Sequence, residues 1–133
     1  MTKEQKTTLK NIPDLAKSIA KNLKGGEVFA LTGPLGAGKT TFVKTVAKEL
    51  KLRKKITSPT FVIMNVFPVR IKNKNNFLFL HLDLYRTKSF REIKSLGLTE
   101  LWGQKNTVTF IEWADKIKRH WPKNINVIKF EYV

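Results

Sequence analysis

The sequence predicts an α/β fold of three layers, with helices on both faces of a mixed parallel and antiparallel sheet. Three observations predict it. The apolar run Val28-Phe29-Ala30-Leu31 passes through a glycine-rich turn directly into an amphipathic helical pattern, the strand–loop–helix unit of a parallel sheet. The β-branched and aromatic run Thr107-Val108-Thr109-Phe110-Ile111 reads as a further strand, and it ends on an acid, Glu112. Two more apolar runs, 61–69 and 77–82, flank Asn73-Lys74-Asn75-Asn76, whose turn chemistry predicts a hairpin and so the antiparallel portion.

In chain order, 7–10 is compatible with a short edge strand. From Asn11 the pattern turns helical: Ile12, Leu15, Ala16, Ile19, Ala20 and Leu23 form one apolar stripe. Asn11 and Asp14 are spaced as a capping arrangement, and Gly25-Gly26 ends the helix. Strand 27–32 is nearly all apolar, as a strand covered on both faces should be. A helix over 39–50 turns Phe42, Val43, Val46, Ala47 and Leu50 inward. After the basic stretch Lys51, Arg53, Lys54 and Lys55 comes the hydroxyl-rich turn Thr57-Ser58-Pro59-Thr60, then the hairpin, with Lys72 and Lys74 placed to blunt an exposed edge. A short helix over 90–95 stops at Gly97, and 99–102 adds another turn. Beyond Glu112 a brief helix runs to about His120, Pro122 prevents its continuation, and 125–133 is the last strand.

At 133 residues the chain reads as a single domain, 1–133, large enough to bury roughly two-thirds of its unfolded surface. Repeats, low-complexity segments and an interdomain linker are absent. There is no cysteine, which excludes disulfides, thiolate metal sites and a cysteine nucleophile and suits a reducing cytoplasm. The first residues lack an apolar core, and no run approaches the ~18 apolar residues of a span, so neither a secretory leader nor a membrane segment is expected. The net charge of +16 is the compositional outlier. It fits attraction to nucleic acid and equally a lysine-rich solubilising surface, because the basic residues are spread along the whole chain.

The chemistry begins at Gly33-Pro34-Leu35-Gly36-Ala37-Gly38-Lys39-Thr40, the form of a phosphate-binding loop. Glycines let the backbone curl so that successive N–H groups point at phosphate oxygens, and the helix that starts there adds its unpaired donors. Lys39 supplies a full positive charge for β- and γ-phosphates, and the Thr40 hydroxyl is placed to hold magnesium. Hydrolysis also needs a metal shell and a group that orients water. Glu112, at a strand's carboxyl end, is the first candidate, for metal or for water. Asp83 is the second. It sits just past the end of 77–82, and it would face the γ-phosphate if that strand lay beside the loop strand; the alternative is a turn cap near Arg86. His81 reads as a satisfied structural histidine before a proton shuttle. Trp113 either stacks on a base or packs under the sheet, and Arg86 either meets phosphate charge or forms a surface ion pair. Thr57, Ser58 and Thr60 could close over a γ-phosphate as a switch or could be a plain turn. A P-loop kinase of small molecules and a non-enzymatic RNA-binding module are the competing readings. The first lacks length for a lid, and the second lacks RNA-binding signatures.

Together, Leu35-Gly36-Ala37-Gly38-Lys39-Thr40-Thr41, Thr57-Ser58-Pro59-Thr60-Phe61, His81-Leu82-Asp83-Leu84-Tyr85-Arg86, Gly97-Leu98 and Ile111-Glu112-Trp113 resemble the small bacterial tRNA threonylcarbamoyladenosine biosynthesis ATPases of the TsaE or YjeE type, in order and spacing across nearly the whole chain. The resemblance implies a compact P-loop ATPase that binds ATP and Mg2+. Gly33, Leu35, Gly36, Ala37, Gly38, Lys39, Thr40 and Thr41 would hold the nucleotide, Thr40 and Glu112 the magnesium, and Asp83, Glu112 and Lys39 would act in catalysis. Thr57 and Ser58 would act as a switch, Trp113 would lie near the nucleotide, and the segment around Thr8 would approach the adenine. ATP hydrolysis would support a partner complex, the TsaB–TsaD pair, in modifying the adenosine next to the anticodon. Contact with tRNA would then be indirect, or direct through the basic surface. The chain departs from the family at Pro34, where an acid is usual, at Ala114-Asp115 in place of Pro-Glu, and in its high charge.

Overall fold

The strand Val28–Thr32 (numbered β2 below) is buried at four successive positions, and its alternation divides the molecule into two cores. Phe29 and Leu31 point into one, Val28 and Ala30 into the other. A computed structural model describes residues 3–52, 64–71, 74–86, 89–95 and 97–133. Its elements are β1 (Lys3–Thr8), α1 (Ile12–Asn22), β2, α2 (Lys39–Glu49), β3 (Met64–Ile71), β4 (Lys74–Asp83), α3 (Phe90–Ser95), β5 (Thr107–Glu112) and β6 (Asn126–Glu131), with short 3-10 segments at Leu9–Asn11, Leu98–Glu100 and Ala114–His120.

The strands form one six-stranded sheet in the order β1-β6-β2-β5-β4-β3. Every neighbouring pair is parallel except β3 with β4, so the sheet is mixed and the antiparallel strand lies at an edge. One face carries α1 and α2, whose Ile12, Ala16, Phe42, Val43 and Val46 meet Phe29, Phe110, Ile128 and Phe130. The other carries α3 and the 3-10 segment at Ala114–His120, which bring Ile93, Ala114 and Ile117 against Leu80, Leu82, Ile111 and Val127. That is the three-layer α/β arrangement read from the sequence. Among the described residues no helix is long and apolar enough to cross a membrane.

Several boundaries differ from expectation for identifiable reasons. The first strand is Lys3–Thr8 rather than 7–10. It has no apolar run because it is an edge strand whose only buried residue is Thr7, and it is held by parallel pairing to β6 and by the cross-strand pairs Lys6–Glu131 and Lys129–Glu4. Asn11 precedes α1 without a side-chain cap, because the 3-10 segment before it already holds its backbone near φ −95°, ψ −2°. The α1 helix ends at Asn22, short of Gly25-Gly26. Glu27 lies outside β2 and instead accepts the N–H groups of Lys24 and Gly25 at 2.8 and 2.7 Å. In the hairpin, Lys74, Asn75 and Asn76 belong to β4 rather than to a turn, and Ile71 pairs with Lys74. The basic residues 53–55 and the turn Thr57–Thr60 lie outside the described residues.

The core is densest at Phe110, which stacks on Phe29 at 4.8 Å and on Phe79 at 5.1 Å and meets Phe42 edge-on at 5.9 Å. Truncating a fully buried phenylalanine loses its transfer free energy and leaves a cavity. Phe110→Ala should cost about 3–5 kcal/mol in urea unfolding; a loss below about 1 kcal/mol would show that the aromatic stack does not organise the core.

Candidate functional site

Parallel strands deliver their carboxyl ends to one edge of the sheet, and here three of them converge with the start of α2. After β2 the chain curls through Gly33–Gly38 before the helix begins at Lys39. Two glycines make that curl possible. At Gly33, φ is +134° and a Cβ would stand 2.3 Å from the Phe130 carbonyl oxygen. At Gly38, the residue preceding α2, φ is +114° and a Cβ would stand 2.4 Å from Ile12 Cδ1. Only glycine takes such angles without strain. Tyr132, from the chain end after β6, braces the loop by donating its hydroxyl to the Leu35 carbonyl at 2.6 Å.

Side chains from distant elements meet beside this loop. Lys39 Nζ donates to the carbonyls of Gly33 at 2.6 Å and Pro34 at 3.0 Å, and it sits 4.0 Å from the centroid of the Trp113 ring. Thr40 Oγ1 donates to Glu112 Oε1 at 2.7 Å. The other Glu112 oxygen, Oε2, is 2.5 Å from Nε2 of the fully buried His81. Asp83 lies directly opposite Glu112 in the β4–β5 register, and its Oδ1 accepts the Tyr85 N–H at 3.0 Å. The sequence reading made Asp83's role conditional on β4 adjoining β2. That condition fails, because β5 lies between them; Asp83 reaches the site through its register with Glu112 instead. It is also the last residue of β4 rather than a residue beyond it.

These groups enclose a cavity of about 310 Å³ lined by Leu9, Leu35, Gly36, Gly38, Lys39, Thr40, Thr41, Asp83, Tyr85, Glu112 and Trp113. Gly33 and Ala37 shape the loop behind that lining. Thr57 and Ser58 lie outside the described residues. Trp113 takes neither of its sequence-level alternatives in pure form. It is half-buried against the second core, with φ at +59°, and its ring wedges between Lys39 and Tyr85, whose ring centroid is 5.0 Å away. Arg86 is exposed and does not line the cavity. Leu9, Tyr85 and Tyr132 were missed as site residues. Tyr85 had a signal, two positions beyond Asp83, whereas Leu9 and Tyr132 carry none that local pattern could supply.

The electrostatics are those of charges gathered in a partly dry pocket. Burial lowers the Lys39 pKa, opposed by the carboxylates of Glu112, Asp115 and Asp83. Burial raises that of Asp83, and Glu112 adds to the rise; the Tyr85 N–H, His81 and Lys39 oppose it. Among the described residues no group of three or more His, Cys, Asp or Glu converges as a metal cluster. A hydroxyl and a carboxylate already within 2.7 Å of each other, beside a second acid, are hard oxygen donors suited to magnesium, which takes few protein ligands and fills its shell with water and phosphate oxygens.

A parallel strand leading through a glycine-bounded loop into a helix, with Lys and Thr opening that helix and an acid ending the adjacent strand, defines a P-loop NTPase fold. The profile of the family described as "Threonylcarbamoyl adenosine biosynthesis protein TsaE" matches residues 6–133, and the chain belongs to the TsaE family. The tRNA threonylcarbamoyladenosine biosynthesis protein TsaE of Aquifex aeolicus is 40% identical to it over 106 residues, covering 78% of this chain and 70% of the relative. The protein of the same name from Borreliella burgdorferi is 36% identical over 104 residues, covering 78% and 72%. The crystal structure of YdiB from Bacillus subtilis superposes with a TM-score of 0.62 at 33% identity, covering 90% of this chain and 70% of that one.

The raised Asp83 pKa has a consequence for stability. Well below its unfolded-state value the acid is protonated whether folded or unfolded and adds no pH dependence. As the pH rises from that value through the higher folded-state value, the unfolded chain ionises freely while the folded state must hold the proton or carry a disfavoured charge, and the loss of stability is complete above the folded-state value. Asp83→Asn should therefore melt above the parent at about pH 8, and the difference should shrink as the pH falls toward about 4. Equal melting temperatures at both pH values would refute the unfavourable placement of this carboxylate.

Proposed function

We propose that this chain is a magnesium-dependent ATPase switch: a single P-loop ATPase domain over residues 1–133 that binds and hydrolyses ATP to support a partner complex of the TsaB–TsaD type in threonylcarbamoyladenosine modification of tRNA next to the anticodon. The observation that carries the reading is the meeting of Lys39, Thr40, Glu112 and Asp83 at one cavity on the carboxyl edge of the parallel strands. Family membership supports the pathway, and the names of the relatives supply the tRNA modification.

In this reading the loop's backbone N–H groups and the start of α2 bind the phosphates. Lys39 leaves the carbonyls of Gly33 and Pro34 for the β- and γ-phosphate oxygens, which are the stronger acceptors. Thr40 and Glu112 hold magnesium, which when bound neutralises charge on the β- and γ-phosphates. The two acids then divide the work. Glu112 engages one oxygen with Thr40 and the other with His81, so it is the metal-side acid. Among the described residues Asp83 is engaged through Oδ1, by the Tyr85 N–H, and it lines the cavity; it orients the attacking water. Its raised pKa improves it as a proton acceptor at neutral pH. Trp113 and Tyr85 form an aromatic wall on one side of the cavity. Thr57 and Ser58 are assigned the switch over the γ-phosphate.

The test is calorimetric and kinetic. Lys39→Ala should lower ATP affinity by ~100-fold or more, because the loop loses its full charge on the phosphates. Asp83→Ala should leave ATP affinity within about twofold while hydrolysis falls ~100-fold. Parent hydrolysis should be slow alone and rise when a TsaB–TsaD type pair and tRNA are added. Unchanged ATP affinity in Lys39→Ala would end the loop assignment. Robust phosphoryl transfer to a small acceptor without partners would replace the switch by a kinase.

A further inference from the structure

His81 is a buried titratable side chain to which hydrolysis assigns no direct part. It has no exposed surface, and it projects from β4 onto the same face as Phe110, its partner in the β5 register. On that face its neighbours along β4 and across to β5 are Phe79 and Phe110, both fully buried and apolar. Its Nδ1 has no hydrogen-bond partner among the described residues. A buried ring with one orphaned nitrogen is a worse occupant of an apolar slot than a hydrocarbon would be. The compensation is the other nitrogen, Nε2, at 2.5 Å from Glu112 Oε2.

That bond acts on a specific degree of freedom. The terminal torsion of a glutamate is broad, so an isolated carboxylate turns easily. Here Glu112 is pinned at both ends, Oε2 by His81 and Oε1 by Thr40; an ionised carboxylate only accepts, so the tautomer that makes the bond to Oε2 is the one carrying its proton on Nε2. Without His81, Oε2 would be free to swing toward the cavity or toward Asp83, which faces Glu112 across the strand pair. The geometry points to His81 as a positioning residue. Its Nε2–H clamps Glu112 Oε2 so that the carboxylate presents Oε1 alone, beside Thr40, to the divalent cation. The inference rests on the metal role proposed above for Thr40 and Glu112, and it adds the outer-shell partner that orients the acid. Such partners commonly set metal affinity by 10–100-fold without touching the ion.

The experiment measures Mn2+ as a probe of the magnesium site, by titrating the intact protein with Mn2+ in saturating ADP and following bound metal by electron paramagnetic resonance. Metal-free ADP affinity is measured alongside. His81→Leu fills the slot and removes the donor, while His81→Gln keeps an amide N–H near the Nε2 position. The expected result is Mn2+ affinity about 10-fold or more weaker in His81→Leu, substantially recovered in His81→Gln, with metal-free ADP affinity in both within about twofold of the parent. Parent-like Mn2+ affinity in His81→Leu would overturn the clamp, and so would equal weakening in both variants, which marks a merely structural residue. Absence of any nucleotide-dependent Mn2+ binding in the parent would overturn the metal role itself and this inference with it, an outcome distinct from the other two.

Discussion

The register of β5 between β2 and β4 is the constraint on which the site depends. Leu31 lies opposite Glu112, and Glu112 opposite Asp83, so one strand carries the acid and aligns it with both neighbours. A slip by one residue would turn Glu112 to the other face and separate it from Thr40 and His81. Burial enforces the register: all six residues of β5 are buried, and Phe110 lies between Phe29 and Phe79. The hydrophobic core and the polar site are thus parts of one device, the first setting the positions of the second.

In a chain of net charge +16 with only 10 acidic residues, three acids influence Lys39 directly. Their concentration at one edge gives a locally acidic floor for a cation within a strongly basic surface. The long-range field attracts polyanions in general, whereas the local arrangement discriminates by geometry. This is why the overall charge says little about the site, and why the site cannot be inferred from the charge.

Backbone strain gathers at the same edge. Trp113 adopts a left-handed conformation that an aromatic residue rarely takes. The conformation directs the chain from the end of β5 into the 3-10 segment at Ala114–His120, and it leaves the indole beside Lys39 and Tyr85. The glycines at 33 and 38 absorb comparable bends without a side chain to clash. The loop, the acids and the tryptophan are therefore held by packing on either side rather than by their own preferences.

What the sequence alone determined was everything carried by local periodicity and spacing. The strand–loop–helix unit at 28–49, the apolar stripe of α1, the short helix at 90–95 and the acid closing β5 all announce themselves within a few turns or a few strand residues, because side-chain period and backbone freedom are local properties. Tertiary structure decided the rest. Chain order does not set sheet order, so Asp83's position one strand farther from the loop, and its alignment with Glu112, emerged only from pairing. The polar edge strand β1 is ordered by β6, more than a hundred residues away in the chain. The His81–Glu112 bond, the Leu9 wall and the Tyr132 brace join residues with no shared local pattern. Contacts between such distant residues are fixed by burying the strands together, and no window of sequence contains that information.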